Sequence, residues 1–219
     1  MHLRKTRNTL IKRTFITPLG TISCELNSNF KFVELQNSGT YINGIFERYK
    51  TKGHDIELVE FKVKNPFYNG ETITDSKCWI WRIWKVNEIS ENLELKVSVA
   101  DSPKNSEFDF ATGENLDAFE ITNNEWKLHI GTEDGFILNR RSENNDWFPK
   151  RLINTDKDWQ TITELKESSI RTKIPELKVG EKIHLQYLTA FDKQNIETIN
   201  TWVAVDEHKS ELEKWIGIK

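Results

Sequence analysis

The stretch Cys78-Trp79-Ile80-Trp81-Arg82-Ile83-Trp84-Lys85-Val86 carries three of the chain's eight tryptophans. Read with period two, Cys78, Ile80, Arg82, Trp84 and Val86 share one face, and Trp79, Trp81, Ile83 and Lys85 share the other. Both faces hold large apolar groups. The stretch therefore predicts a central strand covered on both sides, or one lining a concave aromatic surface. A helix fits poorly, because at roughly 100° per residue the indoles and isoleucines scatter around the whole circumference.

Outward from this strand the chain reads as more short strands. The polar link Asn87 to Asn92 leads into Leu93–Ala100, which predicts an antiparallel hairpin with the tryptophan strand. Upstream, Leu10–Thr17 and Thr21–Leu26 flank Thr17-Pro18-Leu19-Gly20, a turn with Pro and Gly in favourable places. Phe30–Leu35 and Ile42–Tyr49 flank Gln36-Asn37-Ser38-Gly39, and Ile56–Val63 stops at Asn65-Pro66. Downstream, Ala118–Ile121 and Trp126–Ile130 form a hairpin around Asn123-Asn124. Thr132 then caps a short helix through Arg141, with Glu133 and Asp134 at its positive end. Trp159–Ile174 reads as one long or two short strands, and Lys182–Phe191 pairs with Ile199–Val205. Asp206 opens a last helix with Leu212, Trp215 and Ile216 on one face and Gly217 as its stop. The fold class expected is mainly β: an antiparallel β-sandwich or open barrel with one or two short helices, including a C-terminal one. Residues 1–219 read as one β-rich domain, with the loop at 101–115 as a weak candidate boundary.

Composition agrees with a packed core. Hydrophobic residues make up 37% and charged residues 30% of 219 positions, yet twelve Phe, eight Trp and four Tyr supply large apolar groups. The net charge of −3 is uneven, since residues 1–24 hold Arg4, Lys5, Arg7, Lys12 and Arg13 and no acid. That basic start lacks the unbroken apolar run of a secretory signal, and Thr21-Ile22-Ser23-Cys24 is a loose lipidation match better read as strand. Cys24 and Cys78 have no Cys-x-x-Cys spacing and read as reduced core thiols, which points to the cytoplasm. No run is long and apolar enough for a membrane span.

Chemical motifs are sparse. The histidines lack ligand spacing, and His54-Asp55 with Glu57 is the one local His/carboxylate cluster. Asp156-Lys157-Asp158 with Glu167 imitates a calcium loop but has Thr161 where glycine is needed. Neither metal nor cofactor is expected. There is no Gly-x-Ser-x-Gly elbow and no phosphate-cradling glycine loop, so no catalytic residues are assigned and the balance falls against an enzyme. Arg140-Arg141 and Lys150-Arg151 with the basic start form the one candidate nucleic-acid patch, and net acidity argues against it.

One polar–aromatic segment stands out: Asn145, Asp146, Trp147, Phe148, Lys150 and Arg151. On a loop, this mixture suits a protein-recognition hot spot or a sugar-stacking platform, while a plain structural reading makes it an aromatic plug pinning a loop to the core. The favoured function is a non-catalytic binding protein that recognises another protein, such as a bacterial immunity- or antitoxin-like protein. The alternative is carbohydrate binding or glycoside processing by exposed tryptophans, whose paired acids would meet only in the fold.

Overall fold

A computed structural model describes residues 8–63, 73–113, 115–153, 162–194 and 200–218. The basic residues Arg4, Lys5 and Arg7, the Asn65-Pro66 stop, the start of the calcium-like segment at Asp156 to Asp158, Thr161, Trp159 and Ile199 lie outside these.

The strands form two antiparallel sheets with no closed barrel. Five strands, β1 (Asn8–Thr17), β2 (Gly20–Ser28), β7 (Leu93–Ala100), β12 (Ser169–Lys173) and β11 (Thr163–Lys166), make one sheet in the order β1-β2-β7-β12-β11. The other holds β3 (Glu34–Thr40), β4 (Gly44–Lys50), β5 (His54–Phe61), β6 (Asp75–Lys85), β13 (Lys182–Lys193), β10 (Trp126–Glu133), β9 (Leu116–Thr122) and β8 (Glu107–Phe110), in the order β3-β4-β5-β6-β13-β10-β9-β8. Among the described residues there are also three short α-helices, α1 (Gly135–Glu143), α2 (Asn200–Val205) and α3 (Lys209–Ile216).

The tryptophan strand is β6, between β5 and β13, and both its faces are covered. Trp79, Trp81 and Ile83 enter the core between the sheets with Ile22, Cys24 and Leu26 of β2 and Leu95 and Val97 of β7. Cys78 and Ile80, on the outer face, meet a second core built from Val59, Leu188, Ala204, Val205, Leu212 and Ile216, which seats α2 and α3 on the sheet. Both cysteines are buried and free, and burial pushes both thiols up.

The β1–β2 hairpin forms in the expected place. The Thr17 hydroxyl bonds the Gly20 carbonyl at 2.8 Å, and glycine is required there because a Cβ would stand 2.5 Å from the Ala100 carbonyl oxygen at φ +124°. The β9–β10 hairpin likewise turns at Asn123, whose Oδ1 accepts from the amides of Glu125 and Trp126.

Six expectations are corrected. β6 and β7 are not a hairpin: β6 joins the eight-stranded sheet and β7 pairs with β2 and β12, so the short link crosses between layers. Gln36 to Gly39 is strand rather than turn, and the reversal falls at Tyr41 to Asn43, where the Tyr41 amide bonds the Gly44 carbonyl at 2.8 Å. Residues from Asn200 to Val205 are helical rather than a strand beside β13. Helix α1 is capped by Asp134, whose carboxylate accepts from the Ile137 amide at 2.8 Å, because Thr132 and Glu133 still belong to β10. Helix α3 begins after His208 rather than Asp206, though it does end at Gly217, φ +75°. The loop from Asp101 to Asn115 also contains a strand, β8.

Candidate recognition surface on the eight-stranded sheet

The outer face of the eight-stranded sheet changes character along its strands. Where α2 and α3 sit, it presents Val59, Ile80 and Leu188; toward the other end, register places Arg48, Glu57, Arg82 and His184 side by side across β4, β5, β6 and β13. A further row holds Lys50, Asp55, Trp84 and Lys182. An arginine in the middle of an apolar strand has to be neutralised when covered, and Arg82 is only 5% exposed. It donates to Glu57 at 3.3 Å and to Glu213 of α3 at 2.5 Å. Glu57 also accepts from Arg48 at 2.7 Å and from the Tyr41 hydroxyl at 3.2 Å. Lys209 joins Glu213 at 3.0 Å to Asp146 at 2.8 Å, carrying the network from α3 into the loop after α1.

His184 is fully buried beside Arg82. Gln186 donates its amide to the Glu207 carbonyl at 2.6 Å, so its Oε1 faces His184 Nε2 at 3.2 Å and assigns the ring proton to that nitrogen. Burial, then the nearby Arg141 and Arg82 charges, hold the imidazole well below its ordinary pKa. It is a neutral, sealed member of the network rather than an acid or base open to solvent.

The candidate loop packs over this row. Arg141 on α1 pairs with Glu133, and its guanidinium donates to the carbonyls of Asp146 at 3.3 Å and His184 at 3.1 Å. Ser142 donates to the Pro149 carbonyl at 2.8 Å, and the Trp147 carbonyl accepts from the His184 amide at 2.9 Å. Asn145 and Trp147 are thereby held at φ +51° and +50°. A bulky residue pays strain there, so the loop's conformation is imposed by its anchors.

The segment then divides by residue. Phe148 is 1% exposed and belongs to the core between the sheets, so it is an anchor. Trp147 is half-buried on the outer face, edge-on to Trp84 with ring centroids 5.1 Å apart. The Lys182 ammonium lies 4.1 Å and the Arg82 guanidinium carbon 5.0 Å from its ring centroid. Asp146 is the ion-pair link to Lys209, and exposed Asn145 accepts from the Lys150 amide at 3.4 Å. Lys150 is exposed, and Arg151 turns away to Glu181 at 2.6 Å. Thus Asp146 and Trp147 join the charged row, whereas Phe148 and Arg151 fasten the loop elsewhere.

Beside Trp84 runs a groove of 370 Å³ lined by Asn37, Arg48, Lys50 and Asp55 among others. Sequence reasoning missed Arg82, Trp84, Lys182, Lys209 and Glu213 as neighbours of the loop. The available signal was Arg82 itself, a charge within a doubly covered strand.

His54 is buried with its Nδ1 3.0 Å from Glu91, which also accepts from Thr51, Ser28 and the Gly53 amide. Burial favours the neutral acid, but these hydrogen bonds win and hold Glu91 at about 2. Among the described residues there is no metal-ligating cluster and no helix long and apolar enough to cross a membrane. Comparison with protein-family models, curated proteins and solved structures finds no match to this chain.

Proposed function

We propose that the chain is a non-catalytic binding protein that recognises another protein, an immunity- or antitoxin-like role, through the surface formed by Trp147, Trp84 and Lys182 and the groove beside them. The observation that carries this reading is Trp147: half-exposed, at φ +50°, and fixed by a backbone bond to β13 and by the neighbouring Phe148 anchor. A rigid indole next to arginine and lysine is the residue chemistry of interface hot spots, and its ordering cost is met before a partner arrives. Asn145, Asp146 and Lys150 contribute the polar rim, and Phe148 and Arg151 hold the loop in place. Protein is favoured over carbohydrate because cations already lie against the Trp147 ring that a sugar would stack on. The two buried free thiols suit a cytoplasmic setting for such a partner.

The test is a photo-crosslinking residue at position 147, compared with one at Thr14 on the far sheet, in cells that express the native gene cluster. A discrete protein adduct at 147 alone supports the reading. Equal adducts at both positions, or selective retention of the protein by a glycan array through Trp147, would contradict it.

A further inference from the structure

Strand β8 is an edge of the eight-stranded sheet, paired with β9 on one side, and all four of its residues are exposed. Phe108 and Phe110 face the same way as their register partners Ile121 and Phe119, which are buried. The apolar face of the sheet thus runs out past the core and ends in two phenylalanines that are 38% and 56% exposed. On the opposite face Asp109 stands across from Glu120, and Glu107 across from Thr122.

The backbone is set for pairing. Ala111 donates to the Ala118 carbonyl and Gly113 to the Leu116 carbonyl, each at 3.0 Å, which directs the odd-numbered amides toward β9. By alternation Phe108 and Phe110 turn their amides and carbonyls outward. The Phe110 amide is bonded by the Asp109 carboxylate at 2.8 Å, a local cover that a competing cation can draw off.

We infer that β8 is a strand-addition site for an extended protein segment in which apolar residues alternate with lysine or arginine. Its apolar side chains cover Phe108 and Phe110, its cations meet Glu107 and Asp109, and its backbone extends the ladder from Phe108. The same charges argue against pairing of two copies. The antiparallel registers that set Phe108 opposite Phe108 or opposite Phe110 place acid across from acid, and like charges directly across a ladder repel. This surface is separate from the one around Trp147, so either can fail without the other.

The experiment titrates the acetylated, amidated peptide Lys-Val-Lys-Val-Lys-Val-Lys into isotope-labelled full-length protein and follows backbone amide shifts. The shifts should concentrate at residues 107–113. Replacing every lysine of the peptide with glutamate should weaken binding about tenfold or more, as should Phe110→Ala or Asp109→Lys in the protein. A peptide N-methylated at alternate amides, with charge and side chains intact, should lose binding, and Trp147→Ala should leave it unchanged. Phe110 and Asp109 are exposed, so unchanged shifts elsewhere certify the fold of those two variants. Retention of affinity by the N-methylated peptide, equal binding by Asp109→Lys, or shifts spread over the acidic surface would overturn the inference.

Discussion

The two sheets turn differently built faces outward. On the five-stranded sheet, register aligns Lys12, Glu25, Lys96, Arg171 and Glu164 in one row and Thr14, Ser23, Ser98 and Ser169 in the next. Both signs of charge share that row too, yet neither core cluster places a helix over them; Lys12 is 3.0 Å from Glu25 with its side chain half in water. On the eight-stranded sheet a comparable row, Arg48, Glu57, Arg82 and His184, has its Arg82 and His184 end roofed by α3 and the Trp147 loop, while Arg48 at the other end keeps its side chain half in water. Cover, not composition, separates them. A solvated pair is worth little, whereas a roofed one becomes a constraint, because each charge depends on its partner for lost hydration.

The largest effect expected from this contrast is at Glu57. Glu57→Ala leaves Arg82 short of its buried partner and should cost about 3 to 5 kcal/mol by urea titration, the usual result of breaking a buried pair. Recovery of most of that loss in a Glu57→Leu/Arg82→Met double variant would sharpen the account, since a packed apolar pair removes the orphaned charge. A loss below about 1 kcal/mol in the single variant would put this row on a par with the solvated one and break the comparison.

Titration separates the faces next. His184 is held neutral, so below about pH 6.5 the unfolded chain takes up a proton that the folded chain refuses, and stability falls as pH drops toward the folded pKa. Two other carboxylates act in the opposite sense. Burial, then Asp134, raises Asp117 to about 6, and burial, then Glu211 and Asp206, raises Glu207 to about 7. Each binds a proton in the folded state before the unfolded chain does, so each adds stability as pH falls from about 7 toward its ordinary value. His184→Gln removes the opposing contribution and should make the urea midpoint rise, relative to the parent, between pH 7 and pH 5. Parallel curves for the two proteins would show that His184 titrates in the fold as it does outside it.

The smallest effect belongs to the bare face. Lys12→Ala removes one partner of a solvated pair and should change stability by about 0.5 kcal/mol or less, an effect that shrinks as salt rises. A loss above about 1.5 kcal/mol would mean that this face, too, is covered or coupled.

Much of this arrangement was legible in local pattern. The period-two apolar run of β6 announced burial on both faces, the Thr17 to Gly20 turn fixed a hairpin, and Gly217 marked the end of α3. Sheet membership was not legible, because the short link between β6 and β7 serves a hairpin and a crossing between layers equally well. The segment Asn-Thr-Trp-Val-Ala-Val of α2 has the β-branched alternation of a strand, and only its seat on Leu188 and Ala190 makes it helical. In the candidate loop, composition did not reveal the division of labour between adjacent aromatics. Which of Trp147 and Phe148 enters the core depends on a left-handed backbone set by Arg141 and Ser142 of the preceding helix and by His184, a residue distant in sequence.

That division supplies the most direct test of the claim that a core anchor presents Trp147 as a recognition group. Thermal melting of Trp147→Ala and Phe148→Ala, run side by side, reads it. Phe148→Ala should lower stability by about 3 to 5 kcal/mol, as truncation of a buried phenylalanine does. Trp147→Ala should cost about 1 kcal/mol or less, and with a partner in hand should weaken binding by about 2 kcal/mol or more. Equal, large drops in Tm for both would make Trp147 a second structural plug and contradict the account.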